Sequence, residues 1–179
     1  MKTFEINGNL TSIENSEVFY DTIKKVWDIF VSTFGSDVMK KYDLYLDNAL
    51  EMTGHAPMII PVLQKYLFIK LHIKNFSDYE KIAYQFSHEL CHYVFYSIIG
   101  INKKMADCTE ENLCSAMSLV ILHMLYPDTY QEWEEYVENL DDFNYNRGAY
   151  VAKKINYDIN ALKDIIYMKC KEESQKSIV

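Results

Sequence analysis

The chain has 179 residues, of which 49% are hydrophobic and 25% charged, with five glycines and three prolines. This composition is sufficient for one packed domain and excludes a disordered or low-complexity chain. The net charge of −8 at pH 7 provides no basic surface for nucleic acid and would be repelled by an anionic membrane. We therefore expect neither nucleic acid nor a membrane as a partner.

Strands are predicted in the first half of the chain, at residues 4–10, 42–47, 58–62 and 66–73. Apolar residues at intervals of three and four over residues 16–34 indicate an amphipathic helix that begins at Ser16 and is closed by Gly35. Residues 66–73 alternate between apolar and polar side chains, and Lys70 on the polar face is typical of a strand at the edge of a sheet.

The second half of the chain is predicted to be helical. Helices are expected at residues 78–99, 108–125, 129–140 and 145–172, with a break in the last near residues 156–158. A sheet-rich half, residues 1–76, followed by a helical half, residues 77–172, indicates an α+β class. No linker or repeat divides the chain, so residues 1–179 are predicted to form a single domain with a flexible tail at 173–179.

The cysteines and the N-terminal segment indicate the compartment. Cys91, Cys108, Cys114 and Cys170 form no C-x-x-C pair, which is typical of reduced thiols in a reducing environment. The first residues lack the apolar segment of a secretory signal, and no apolar run approaches the ~20 residues that cross a bilayer. The sequence therefore predicts a cytoplasmic protein.

An H-E-x-x-H motif, His88-Glu89-Leu90-Cys91-His92, lies in the first helix of the second half. Residues four apart lie on the same side of a helix, so the two imidazoles can bind one Zn²⁺. Glu89 lies about 100° further round the helix, where it can reach a water molecule at the metal and act as its general base. Because the helix is predicted to be buried on nearly all sides, a bound cation would offset the cost of burying these groups. A chance match in a buried helix is the alternative.

Two adjacent glutamates open the next predicted helix, and a catalytic zinc site needs a third protein ligand. Asp107 and Glu110 have the spacing of a capping box, which would keep Glu110 at the helix start. Glu111 shares a face with small side chains, among them Cys114 and Ser115, which would let this helix approach the motif helix closely. We therefore predict Glu111 as the third ligand, with Glu110 as the alternative; a solvated carboxylate at a helix start would explain either without a metal.

The motif followed by Glu111 in the next helix resembles the gluzincin branch of the zinc metallopeptidases, over about residues 57–125. The small chain is also similar to compact intracellular bacterial metallopeptidases, including those that cleave repressors. The resemblance implies a zincin-like fold with a small mixed sheet, Zn²⁺ as the cofactor, and a peptide or protein substrate. At Ser115 the sequence departs from the thermolysin-like pattern, which has an acidic residue there. Ser115 and Glu110 are the candidates for a hydrogen bond to a ligating histidine.

The resemblance further implies a place for the substrate and a donor for the oxyanion. In such enzymes the substrate backbone lies antiparallel to the strand before the motif helix, which here is 66–73, and strand addition supplies main-chain hydrogen bonds. An ordinary sheet edge is the alternative for this strand. The candidates for the residue that stabilises the oxyanion are His123, Tyr126, Tyr145, Arg147 and Tyr150.

The leading hypothesis is a zinc metallopeptidase that hydrolyses a peptide bond, with His88, His92 and Glu111 as metal ligands and Glu89 as general base. The alternative is a zinc-stabilised binding or regulatory module without turnover, because a metal site stabilises a fold whether or not it is catalytic. A fourth protein ligand such as His123 or Glu110, closing the metal site, would favour the second hypothesis.

Overall fold

The computed structural model describes residues 5–6, 16–48 and 56–176 of the chain. These residues form an α+β fold, as predicted, with a small mixed sheet and a mostly helical remainder. In chain order, the strands are β1 (Glu5–Ile6), β2 (Asp43–Asn48), β3 (Met58–Val62) and β4 (Tyr66–Leu71). The helices are α1 (Ser16–Phe34), α2 (Ser36–Met39), α3 (Tyr79–Ile99), α4 (Cys108–Leu125), α5 (Tyr130–Glu138), α6 (Arg147–Lys154) and α7 (Ile159–Lys176).

The element boundaries follow the predicted pattern along most of the chain. α1 spans the predicted residues 16–34, and the break expected in the last helix separates α6 from α7, where Asn156 and Tyr157 have positive φ angles of 53° and 56°. α7 continues to Lys176, beyond the predicted end of the helix. Of the strand predicted at 4–10, only residues 5 and 6 lie within the described part of the chain, and they form β1.

The sheet has the strand order β1-β2-β4-β3. β1, β2 and β4 are parallel, whereas β3 pairs antiparallel with β4. The prediction that residues 66–73 form an edge strand is wrong, because β4 has a hydrogen-bonded neighbour on each side. The alternation of apolar and polar residues identifies the two faces of a strand, and Lys70 lies on the polar face. It does not show whether the strand has a neighbour on each side. Of the described strands, β1 and β3 form the two edges of the sheet. In β3, Pro61 lacks the N–H that an interior strand requires.

α3, which carries the H-E-x-x-H motif, is the central helix of the fold. The carboxylate of Asp78 caps its start by accepting from the N–H of Lys81 at 3.1 Å, and the helix ends at Gly100, where φ is 127°. α3 packs against α1, α4, α7 and the sheet, and most of its residues are buried, as the sequence predicted. Neither α3 nor any other helix of the described segments is long and apolar enough to cross a membrane.

Small side chains hold α4 between α3 and α6. The hydroxyl of Ser118 donates to the backbone oxygen of Tyr84 at 3.0 Å, which brings α4 close to α3. On the other side, a Cβ atom added to Gly148 of α6 would lie 2.5 Å from the Cβ of Ser115. This close approach fixes α6, and with it the preceding residue Tyr145, beside the N-terminal half of α4.

Candidate metal centre

Three side chains from two helices converge on one point. His88 and His92 lie one turn apart on α3, and Glu111 projects from the first turn of α4. The Oε2 atom of Glu111 lies 3.2 Å from Nε2 of His88 and 3.4 Å from Nε2 of His92. Ligands bound at about 2.0–2.1 Å to a tetrahedral ion are about 3.3 Å apart, so these distances suit one small cation.

The donor set also fits the chemistry of zinc. Two imidazole nitrogens and one carboxylate oxygen form a combination that catalytic zinc sites use, with the fourth position left for water or substrate. One ligand atom from each of the three residues lies within 4.8 Å of the others, and no further His, Cys, Asp or Glu of the described residues belongs to the group. We refer to His88, His92 and Glu111 below as the metal cluster.

Glu89 lies beside the metal cluster on the wall of an open cavity of about 470 Å³. β3 forms the opposite wall of this cavity, and the backbone N–H of Ile59 faces the Glu89 carboxylate. Burial raises the pKa of Glu89 to about 8. A carboxyl group with this pKa can take up and release a proton near neutral pH, which is what a general base requires.

Glu110 contacts the Nδ1 side of the His92 ring and is itself paired with Lys103. Oε1 of Glu110 lies 2.7 Å from Nδ1 of His92, and the ammonium group of Lys103 donates to the same carboxylate at 2.8 Å. The side chains of Lys103 and Glu110 are 2% and 1% exposed. A carboxylate at Nδ1 favours the tautomer with its proton there, which leaves Nε2 available to a metal ion.

The capping box predicted at the start of α4 forms only in part. Asp107 accepts from the N–H of Glu110 at 2.9 Å, but the side chain of Glu110 turns toward His92. Within the described structure, the buried hydroxyl of Ser115 makes no hydrogen bond to either histidine of the metal cluster. Glu110 therefore contacts His92 of the metal cluster, whereas Ser115 forms a hydrogen bond with neither histidine.

The metal cluster is charged when no cation is bound. Burial lowers the pKa of His92, but its hydrogen bonds to Glu110 and Glu111 outweigh this effect and raise the pKa to about 10. Burial raises the pKa of Glu111, yet hydrogen bonds from both histidines bring it down to about 2. For His88, burial dominates and lowers the pKa. A cation that binds here must therefore displace the proton of His92.

The cysteines form no disulfide and supply no ligand to the metal cluster. All four are free, and the Sγ atom of Cys114 lies 3.4 Å from Nδ1 of His92, on the side of the ring away from Glu111. Burial, together with a hydrogen bond to Cys91, raises the pKa of the Cys114 thiol. The thiol therefore stays protonated, whereas a metal ligand must be a thiolate.

Tyr145 is the candidate oxyanion donor that lines the cavity at the metal cluster. Its ring centroid lies 5.8 Å from that of His88, and burial raises the pKa of its phenol to about 12, so it remains a hydrogen-bond donor at neutral pH. The other four candidates make different contacts: His123 with Tyr130 and Tyr157, Tyr126 with Tyr79, Arg147 with Phe143, and Tyr150 with solvent.

The chain matches no protein family, no curated protein and no solved structure. Its function must therefore be inferred from the site. Two contributors to that site, Lys103 and the edge position of β3, were not predicted from the sequence. Pro61 was an available signal for the edge, because proline is confined to edge strands, strand ends and bulges. Lys103 had no comparable signal, since it lies in a loop and meets Glu110 only in the folded chain.

Proposed function

We propose that the chain is a zinc metallopeptidase with a zincin-like fold of the gluzincin type. The metal cluster, His88, His92 and Glu111, would hold Zn²⁺, and the substrate would be a peptide or protein. The observation that carries the proposal is the convergence of three ligand atoms on the wall of an open cavity that also contains Glu89.

The residues around the metal cluster have the properties that peptide hydrolysis needs. When bound, Zn²⁺ would supply Lewis acidity to a peptide carbonyl and to a water molecule. Glu89 would accept the proton of the attacking water and return it to the leaving nitrogen. Tyr145 would donate a hydrogen bond to the carbonyl oxygen as negative charge develops on it. Glu110 would keep the ring of His92 in its ligating orientation.

The substrate backbone would lie along β3, the edge strand, rather than along β4. The N–H of Ile59 points out of the sheet toward Glu89, and outward positions alternate along an antiparallel strand, so Pro61 also faces the cavity. At these two positions β3 offers two carbonyl oxygens, whereas the N–H of Ile59 faces Glu89 and Pro61 has no N–H. A paired peptide would therefore be held mainly through its own N–H groups.

The open cavity supports a catalytic role over that of a zinc-stabilised module without turnover. A purely structural zinc site is closed by a fourth protein ligand. The two candidates for that ligand have other partners: Glu110 contacts His92 and Lys103, and His123 stacks on Tyr157 with ring centroids 4.5 Å apart.

The metal content of protein purified without a metal-chelating resin is the first test. We expect about one zinc per chain, its loss in His88→Ala and Glu111→Ala, and its retention in Glu89→Gln. Glu17→Gln, at an exposed position on α1, is the control and should retain zinc. A folded wild-type protein without zinc would contradict the proposal.

Hydrolysis is measured with the same proteins on a denatured protein mixture, with cleavage products detected by mass spectrometry. Glu89→Gln should lower turnover by at least about 10²-fold while its zinc content stays at the wild-type value. Wild-type turnover in this variant would exclude Glu89 as the base. Zinc without any cleavage by the wild type would favour the non-catalytic module.

A further inference from the structure

A second cavity adjoins the candidate metal centre at the start of β3. It has a volume of about 610 Å³ and lies between the N-terminal half of α3 and α5. Pro57 lines both this cavity and the one at the metal cluster. An extended peptide lying along β3 would therefore pass from the metal cluster into the second cavity.

One wall of the second cavity is aromatic. Trp133 stacks on Tyr84, with ring centroids 4.8 Å apart and planes inclined by 21°, and Tyr136 meets Trp133 edge-on at 5.7 Å. The indole is fixed by its Nε1, which donates to a carboxylate oxygen of Glu80 at 3.1 Å. Because Tyr136 is 55% exposed, its part of this aromatic surface is open to a ligand.

The lining of the second cavity carries a net negative charge. Asp78, Glu80 and Glu132 line it, with Lys81 as the opposing charge. Asp78 caps α3 and Glu80 holds Trp133, whereas the side chain of Glu132 is exposed. Aromatic faces next to carboxylates favour a cation, and a guanidinium group can stack on the rings and pair with a carboxylate at the same time.

We propose that the second cavity is a specificity pocket for a cationic side chain, arginine or lysine, of the peptide substrate. This inference rests on the proposed function, since the metal cluster defines where the cleaved bond lies. A peptide antiparallel to β3 has its C-terminal part at Pro57, where β3 begins. The cationic residue therefore lies on the C-terminal side of the cleaved bond, with its charge between Glu132 and the faces of Trp133 and Tyr136.

Zinc-directed inhibitors test the pocket without a known substrate. In N-phosphoryl dipeptide amides the phosphoryl oxygens bind zinc and the two side chains lie on the C-terminal side. Compounds with arginine, norleucine or glutamate at the first or the second position are compared on zinc-loaded protein by calorimetry. At one of the two positions we expect arginine to bind at least about tenfold tighter than norleucine, with glutamate the weakest.

Variants of α5 link this preference to the second cavity. Glu132→Gln and Trp133→Leu should each reduce the preference for arginine over norleucine by about threefold or more. Trp133→Phe keeps an aromatic face and should retain most of the preference. Glu135→Gln, at an exposed position on the same helix and outside the cavity lining, is the matched control and should behave as wild type.

The outcomes separate this inference from the proposed function. Equal binding of the arginine and norleucine compounds at both positions, or a preference that Glu132→Gln and Trp133→Leu leave intact, would overturn the cationic pocket. If no phosphoryl compound binds, including the diglycine parent, the zinc site itself is contradicted and the pocket loses its basis.

Discussion

A buried ion pair contacts the candidate zinc ligand His92. Lys103 and Glu110 are joined at 2.8 Å, and the ammonium group also lies 4.7 Å from the centre of the Tyr96 ring. Burying such a pair gains little net stability, but removing one partner leaves an unpaired charge and costs about 3–5 kcal/mol. We infer that the pair serves orientation, because Glu110 can hold Nδ1 of His92 only while its own position is fixed.

Replacement of Lys103 by methionine tests this orientation. We expect the Lys103→Met protein to bind zinc about 10–100-fold more weakly and to lose a few kcal/mol of unfolding free energy, because the buried Glu110 carboxylate loses its ammonium partner and keeps only His92. Zinc affinity is measured by competition with a chromophoric chelator, and stability by urea unfolding.

Two further variants complete this experiment. Combining Lys103→Met with Glu110→Gln removes both charges but keeps an acceptor for Nδ1 of His92, so it should restore most of the stability and part of the zinc affinity. Lys104→Met, at the exposed neighbouring position, should change neither quantity. Unchanged zinc affinity in Lys103→Met would show that the ion pair does not orient His92.

The helices could be predicted from the sequence because their signals are local. The apolar periodicity and the capping residues Asp78 and Asp107 define the starts of α3 and α4 within a residue or so. The strand order depends instead on which strands meet in space. The alternation of residues 66–73 therefore revealed the buried face of β4 but not its two neighbours.

The difference between local sequence signals and contacts in space also explains which parts of the site could be predicted. His88, Glu89 and His92 share one helical turn, and their grouping follows from helix geometry alone. Glu111 could be inferred from the face of α4 that carries small side chains. Lys103 could not, because no local pattern relates a loop lysine to a glutamate on the next helix.

The contact between α6 and α4 is an element-scale feature that a single methyl group should disturb. In Gly148→Ala the new Cβ would lie 2.5 Å from the Cβ of Ser115 and 2.9 Å from the backbone nitrogen of Ala116. α6 must then move, at a cost of about 1–3 kcal/mol. Because Tyr145 lies two residues before the start of α6, we also expect weaker hydrolysis with unchanged zinc content.

Thermal unfolding and metal analysis of the Gly148→Ala protein check this expectation. Tyr150→Ala, at a position of α6 that is 65% exposed, is the control and should keep the wild-type Tm. Adding Ser115→Gly should rescue Gly148→Ala only in part, since the contact with the α4 backbone remains. Full rescue would show that the Ser115 side chain alone limits how close α6 can come.

At the scale of the whole molecule, the metal cluster lies where most of the fold packs together. α3 contacts α1, α4, α7 and the sheet, so the geometry of its buried polar groups depends on the entire fold. A ligand that binds only the folded state stabilises it, by about 4 kcal/mol at a free concentration about 1,000 times Kd. For a chain of this size that corresponds to a rise in Tm of about 10 °C, which zinc removal by a chelator should reverse.

The effect of zinc on stability should also grow with pH. In the metal-free protein, burial raises the pKa of Glu89 to about 8, and hydrogen bonds to carboxylates outweigh burial and raise that of His92 to about 10. The unfolded chain releases these protons near about 4.3 and 6.5. From pH 7 to 8 the folded state therefore binds more protons than the unfolded state, and the metal-free protein loses stability as pH rises. His88, whose pKa is lowered, and Glu111, whose pKa is about 2, change their protonation below this pH range. They therefore do not alter the trend between pH 7 and 8.

Thermal unfolding from pH 6.5 to 9, with and without zinc, measures this dependence. Zinc would take the place of the His92 proton, so its binding would release protons and strengthen as pH rises. We expect the Tm of the chelator-treated protein to fall across this range and the gap to the zinc-loaded protein to widen. Glu89→Gln removes one of the two titrating groups and should flatten the metal-free curve below pH 8. A metal-free Tm that rises with pH would mean that Glu89 and His92 are not protonated in the folded state, which would contradict the charge distribution of the metal cluster described above.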